Sequence, residues 1–303
     1  MVEGGQAPVI VSASRRTDIP AFYAQWFAHR LEAGHCLVPN PFNPGQVATV
    51  SLRREDVDAF VFWTRDPRPF LPVLDSLDRD RYPYLFLVTI TGYGPPLEPR
   101  APSLAEATAA LRDLAARIGP QRVVWRYDPV IFGPGLDRAS HARRFADLAR
   151  ALAGATDTVK LSFVDLYRKT ARRLQRLPDG TRYAVDPTDS PDLALLVRDL
   201  RQAAADCGMG LQTCAEERDF TEAGAPPGSC VDAVRVSRLC GKELPAVKDR
   251  GQRPWCGCAP SRDIGMNDSC LHGCVYCYAT SGEEAAARNH SRHDPEGESL
   301  LPL

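Results

Sequence analysis

The chain has 303 residues, 37 Lys and Arg against 38 Asp and Glu, and a formal charge of −1. With 44% apolar and 25% charged residues it has the balance of a folded globular protein, which excludes a disordered chain. The absence of net positive charge removes any bulk attraction to nucleic acid, although a local basic groove stays open. Only four of the 37 basic residues are Lys. That bias follows either from genome composition or from bidentate anion recognition by Arg. The N-terminus has neither a basic start nor an apolar stretch, and the longest apolar run, 59–63, is far short of a bilayer span. A cytoplasmic protein with no membrane partner is expected.

In chain order, strands are expected at Val9–Ser14, Ala59–Thr64, Tyr84–Thr91, Arg122–Tyr127, Thr158–Phe163 and Met209–Thr213. Each is short and rich in β-branched or aromatic residues, as buried parallel strands are. Helices are expected between them. The first is Pro20–Ala33, closed by Gly34. Asn40-Pro41 and Asn43-Pro44 then form a rigid double turn, a lid segment or a plain surface loop. Ser103 and Glu106 make a capping box for a helix that stops at Gly119. Asp137–Ala153 is amphipathic, and Ser190-Pro191 opens a helix running to Cys207. Repeated β–α units of this size imply an α/β fold with a parallel sheet and right-handed crossovers.

Most of the strand ends are polar. Ser14-Arg15-Arg16 with Asp18, Thr64-Arg65-Asp66, Arg126-Tyr127-Asp128, Ser162 with Asp165, and Cys214 with Glu216 each follow an apolar run. In a βα barrel such residues line the mouth where chemistry occurs. The plainer explanation is that strands end in polar turns.

Ten cysteines in a reducing compartment are not expected to form disulfides. Cys36 stands alone, whereas the other nine lie between Cys207 and Cys277, a density that suggests metal. The strongest motif is Cys270-Leu-His-Gly-Cys274-Val-Tyr-Cys277, spaced C-x3-C-x2-C with Tyr276 before the third cysteine. Three thiolates on one short loop hold three corners of a cubane cluster and leave its fourth iron open. Gly273 lets the backbone approach such a cluster. The same spacing also serves zinc, which needs a fourth ligand from His272 or a nearby cysteine. Cys256-Gly-Cys258 places two further thiolates within reach of one metal. With Cys214 and Cys230 they form a candidate second site, an iron–sulfur cluster or zinc; the alternative is a set of buried apolar thiols. Cys36 and Cys207 are expected to be structural.

The Cys270–Cys277 loop resembles the signature of the radical S-adenosylmethionine superfamily. The wider pattern resembles an uncharacterised bacterial branch of it, grouped loosely with spore photoproduct lyase and photolyase-like repair proteins. That likeness rests on Ser12-Ala-Ser-Arg-Arg-Thr-Asp-Ile-Pro20, Asn40-Pro-Phe-Asn-Pro44, Val61-Phe-Trp-Thr-Arg-Asp-Pro67 and the cysteine-rich end. The resemblance implies a (β/α)6-type partial TIM barrel, a [4Fe-4S] cluster on Cys270, Cys274 and Cys277, and S-adenosylmethionine on the open iron. It also implies a low-potential electron donor as partner and hydrogen abstraction from a substrate, here a small molecule or peptide of unknown identity. Tyr276 and Tyr278 are candidates to pack on the adenine or to fill the mouth. Arg15 and Arg16, like Arg65, are candidates for carboxylate or phosphate binding, and Arg126 with Asp128 is the candidate catalytic pair. One departure is plain: the superfamily's cysteine loop usually follows the first strand, and here it follows the last strand expected, as a circular permutation would place it. Residues 1–215 are read as the barrel and 216–281 as a cysteine-rich segment completing it. Residues 282–303 are read as a tail, a short helix followed by disorder. The competing readings are a non-catalytic iron–sulfur or zinc-binding protein and a photolyase-like nucleic-acid repair protein.

Overall fold

Every residue of β4 (Val57–Thr64) and of β5 (Tyr84–Thr89) is buried. Strands buried on both faces need a layer on each side, and period-two alternation decides which side chain meets which layer. In the computed structural model, which describes residues 9–178, 183 and 192–303, these strands sit in an eight-stranded parallel sheet curled into a half-barrel. Its order is β10-β1-β4-β5-β6-β7-β8-β9. The remaining strands are β1 (Val9–Ala13), β6 (Val123–Val130), β7 (Thr158–Phe163), β8 (Gly210–Cys214), β9 (Pro227–Gly228) and β10 (Ser261–Asp263). The six longer strands coincide with the six read from sequence. The two additional ones are edge strands of two and three residues, too short to carry a periodic signal.

The convex face meets α2 (Ala24–Ala33), α3 (Leu71–Arg79), α4 (Leu104–Ile118), α5 (Arg138–Ala151) and α7 (Leu193–Asp206). Phe60, Phe62 and Phe86 point outward there, with Phe62 stacked on Phe86 at 4.8 Å between ring centres. Their in-between neighbours Ala59, Val61, Trp63, Leu85 and Leu87 point inward, where they meet Cys214 of β8 and the cysteine-rich segment: Cys230, Val231, Val236, Cys256 and Cys258. That segment also supplies both edges of the sheet. It lays β9 beside β8 and, after α8 (Ala233–Cys240), lays β10 beside β1.

Capping follows the sequence closely. Ser103 and Glu106 form the expected reciprocal box on α4. Asp137 caps α5 through Ser140 N at 2.8 Å. Ser190-Pro191, expected to open α7, lies outside the described residues, and α7 runs from Leu193 to Asp206.

Three expectations are corrected. Pro20–Ala33 is two helices, α1 (Ile19–Phe22) and α2, because Tyr23 leaves helical geometry and sends its hydroxyl to Ser269 O at 2.6 Å. The Asn40–Pro44 turn is the tip of an antiparallel hairpin, β2 (His35–Asn40) with β3 (Asn43–Ser51). A two-stranded ribbon has only edges, where prolines such as Pro39 and Pro44 are tolerated. The tail has the short helix expected of it, but the stretch after that helix, expected to be disordered, is packed on the barrel. After α6 (Arg168–Gln175) and the segments above, α9 (Glu283–Ser291) leads into a stretch held by Trp26 Nε1 to Gly297 O at 3.0 Å and Leu37 N to Glu298 O at 2.9 Å. Leu300 and Leu301 are buried. Among the described residues no helix is long and apolar enough to cross a membrane.

Candidate functional site

The inward register that buries Ala59, Leu85 and Val124 low in the half-barrel turns polar toward the strand ends. On β6 it runs Val124, Arg126, Asp128; on β7, Lys160, Ser162; on β8, Gln212, Cys214. The polar strand ends are therefore an inward-facing row and more than turn formers. They open into a cavity of about 370 Å³ lined by Ser14, Trp63, Arg126, Ser162 and both groups of cysteines. A wider groove of about 520 Å³ lies outside the barrel between α4 and α5 and touches none of these residues.

Cys270, Cys274 and Cys277 line the mouth together. The loop that carries them is fastened at four points. His272 Nε2 meets Asp18 Oδ2 at 2.8 Å, and Val275 N donates to Leu97 O at 3.0 Å. The Tyr276 hydroxyl donates to the Glu98 carboxylate and lies 2.5 Å from Arg65 Nη2, which itself pairs with Glu98 Oε1 at 2.8 Å. Arg173 donates to the carbonyls of Cys277 and Thr280. Gly273 lies at φ +69°, a conformation that favours glycine, and an added Cβ would stand 2.9 Å from Glu283 Oε1. Burial pushes the Cys274 thiol up to about 11 against the pull of Arg65. Burial, with Asp18 nearby, likewise raises Cys270. Metal-free, these two hold their protons near neutrality, and a bound metal must displace them.

The strand leading into this loop is fixed by Asp263. Its carboxylate accepts from Ser12 Oγ (2.9 Å), Ser14 Oγ (2.6 Å) and Arg15 N (2.8 Å), and pairs with Arg16 Nε at 3.1 Å. Gly265 then passes so close to β1 that a Cβ there would lie 2.1 Å from Ser14 Oγ.

The structure brings most of the expected residues to one place. Arg126 pairs with Asp128, which also accepts from Ser162 Oγ at 2.6 Å. Arg15 lies over the Trp63 ring at 5.2 Å and gives Nη1 to Ser261 Oγ at 3.2 Å. Arg16 lines the cavity, but its guanidinium is engaged by Asp263. Tyr276 is buried in the network with Glu98, while Tyr278 is half exposed at the rim and donates to Arg15 O at 2.8 Å. Glu216 accepts from Phe163 N at 2.9 Å. Cys214, Cys230, Cys256 and Cys258 line the inner wall of the same cavity, whereas Cys36 sits in the convex core and Cys207 follows α7. Among the described residues no three His, Cys, Asp or Glu side chains are arranged to hold a single metal ion.

Sequence reasoning missed Glu98, Asp263 and Arg173. Asp18 was named among the polar strand ends, but not as the partner of His272. Each acts on a partner far along the chain, so no local spacing marks it.

The model of a family described as a domain of unknown function, DUF1848, matches residues 10–279. No curated protein matches the chain.

Proposed function

Because the chain belongs to the DUF1848 family, whose description assigns no activity, we propose its function from the site itself: a radical S-adenosylmethionine enzyme. One observation carries the reading. Three thiols of a single C-x3-C-x2-C loop line the strand-end cavity together, and the strand that introduces the loop, last in sequence, stands first in the sheet order. This position supports reading the chain as circularly permuted: β10 stands at the edge of the sheet beside β1, and β4, β5, β6, β7 and β8 follow. We read those six strands as the (β/α)6 unit, with β9 and β10 as edges.

The donor set fits the group. Cys270, Cys274 and Cys277 would hold a [4Fe-4S] cluster, and the loop offers no fourth cysteine, which leaves one iron for the amino and carboxylate groups of S-adenosylmethionine. When bound and reduced by a separate low-potential donor, the cluster supplies the electron that breaks a carbon–sulfur bond of S-adenosylmethionine and starts hydrogen abstraction from substrate. The chain's own residues do the rest. Tyr276, Glu98 and Arg65 set the loop's position over the mouth. Arg126 and Asp128, braced by Ser162, present a polar pair to whatever enters. Trp63 and the inner apolar layer shield the cavity from water. A small molecule or peptide is the substrate class proposed, since a net charge of −1 gives no bulk pull toward nucleic acid.

The test is anaerobic reconstitution with iron and sulfide, reduction, and electron paramagnetic resonance with and without S-adenosylmethionine, Cys274→Ala serving as control. A cubane signal that changes on adding S-adenosylmethionine, and is lost in the control, is expected. A signal indifferent to S-adenosylmethionine, or a chain that takes up no iron, removes the reading and leaves a non-catalytic metal-binding protein.

A further inference from the structure

We infer that Cys214, Cys230, Cys256 and Cys258 form a second metal centre, a four-thiolate iron–sulfur cluster set into the inner wall of the half-barrel. The inference goes beyond the proposed function and does not depend on it.

The four thiols come from three separate stretches: the end of β8, the turn after β9, and the segment before β10. They nevertheless converge. Cys214 Sγ is 3.3 Å from Cys230 Sγ. Cys258 Sγ accepts from Val231 N at 3.3 Å and lies within hydrogen-bonding reach of both Cys230 and Cys256. All four are at most 7% exposed, and all four line the mouth cavity, so space for an inorganic core adjoins them.

Buried cysteine is often a plain apolar filler. The surroundings argue against that here, because cations crowd the four sulfurs. Arg15 neighbours Cys258 and Cys230, and Arg126 and Lys160 neighbour Cys214. Lys160 is 2% exposed, and its side-chain partner is the neutral amide oxygen of Gln212. Arg15 Nη2 and Arg126 Nε are buried with no hydrogen-bond partner among the described residues. Asp128 answers part of Arg126, and Asp263 is divided between Arg15 and Arg16. An ammonium and two guanidiniums are held beside the four sulfurs at a desolvation cost that Asp128 and Asp263 repay only in part. Four thiolates on a cluster core bear net negative charge, and supply the missing counter-ion and acceptors at one point.

A single zinc ion would leave the adjoining cavity unused. Tetrahedral bonds of about 2.3 Å put sulfurs roughly 3.8 Å apart around it. In the metal-free protein the Cys214–Cys230 contact is 3.3 Å, so the sulfurs must part for either group, and further for a cluster. A cluster core spreads its four sulfurs further and uses the adjoining cavity. With every iron held by protein, such a centre has no open coordination position, so electron transfer is its chemistry.

The experiment measures iron, acid-labile sulfide and zinc per chain in three anaerobically purified full-length proteins. These are the wild type, the triple variant Cys270→Ala/Cys274→Ala/Cys277→Ala, and Cys214→Ser/Cys258→Ser, each checked for folding by circular dichroism. About eight irons are expected in the wild type and about half in each variant, four per cubane. In the triple variant, Lys160→Met should then shift the midpoint potential of the remaining centre to more negative values. Zinc in place of iron in the triple variant, or loss of all its iron, overturns the second centre while leaving the proposed function standing. Wild-type iron content in the triple variant, with half lost in the double variant, keeps the second centre and sinks the loop's role. Should the double variant not fold, the wild type decides. Two clusters by Mössbauer and paramagnetic resonance, only one of them responsive to S-adenosylmethionine, support the inference, and a single cluster overturns it.

Discussion

Glu98 joins the cysteine loop to the barrel, and replacing it with Gln tests that joint at constant shape. Its side chain is 2% exposed and that of its partner Arg65 is 10% exposed. Thr91 Oγ1 donates to it at 2.5 Å, and the Tyr276 hydroxyl donates to the same carboxylate. Removing the charge leaves Arg65 buried without its counter-ion, which costs about 3–5 kcal/mol, toward the lower end because the amide oxygen still accepts. Tyr276→Phe removes the acceptor for Arg65 Nη2 and the hydrogen bond to the carboxylate, the latter a loss of about 1.5–3 kcal/mol. Once Glu98 is neutral, that bond is worth only about 1 kcal/mol, so the double variant should show a coupling of roughly 1–2 kcal/mol. Urea unfolding of the four metal-free proteins under reductant gives the cycle. Amide exchange over residues 270–280 shows whether the loop loosens in each single variant. Additivity within about 0.5 kcal/mol, together with unchanged exchange in the loop, would refute the argument that this network holds the cysteines over the mouth.

Two other outcomes follow from single residues. Burial lowers His141 from 6.5 to about 4, while its ring nitrogens meet the Tyr127 hydroxyl at 2.9 Å and Ile131 O at 3.0 Å. Below pH 6.5 the unfolded chain takes up a proton there that the folded chain refuses until about pH 4. Stability therefore falls across that window by about 3 kcal/mol, and the difference between wild-type and His141→Gln urea midpoints against pH should carry that slope; parallel curves would contradict it. Gly273→Ala forces a non-glycine residue to φ +69° and a Cβ 2.9 Å from Glu283 Oε1. Because the Glu283 side chain can swing away, the cost should be close to the backbone penalty of about 1–2 kcal/mol. It should register as reduced iron occupancy of the loop with global unfolding little changed, and full occupancy would show that the glycine is dispensable.

What sequence revealed and what it hid divide along a physical line. The six long strands were legible because each is a closed run of β-branched and aromatic residues between turn formers, and the α4 box because Ser103 and Glu106 are three residues apart. The convergence of Arg126, Ser162 and Cys214 on one cavity was legible from their place at strand ends, since period two and a curled sheet leave them nowhere else to face. The hairpin β2–β3 was hidden by its prolines, and β9 and β10 by their brevity. Asp263 was hidden more deeply. Its ligands Ser12 and Ser14 stand about 250 residues away, and nothing near Asp263 in the chain announces them. The break at Tyr23 is of the same kind, set by a carbonyl at Ser269 rather than by any helix-stopping residue.

The pairing of β10 with β1 has a consequence for how the protein is made. Ser12 leaves the ribosome 251 residues before Asp263, so all six long strands are in hand before their neighbour exists. Until then the inward row of Ala59, Val61, Trp63, Leu85 and Leu87 has no covering layer, because that layer is Cys230, Val231, Val236, Cys256 and Cys258. A nascent chain stalled near residue 220 would present an open, sticky trough of the kind that chaperones hold and that aggregates form from. The same segment that closes the trough carries seven of the eight cysteines lining or adjoining it, from Cys230 to Cys277. Under the proposed function, delivery of iron and burial of the barrel's inner face are tied to one late event, and a shortage of iron during synthesis should be felt first as insolubility.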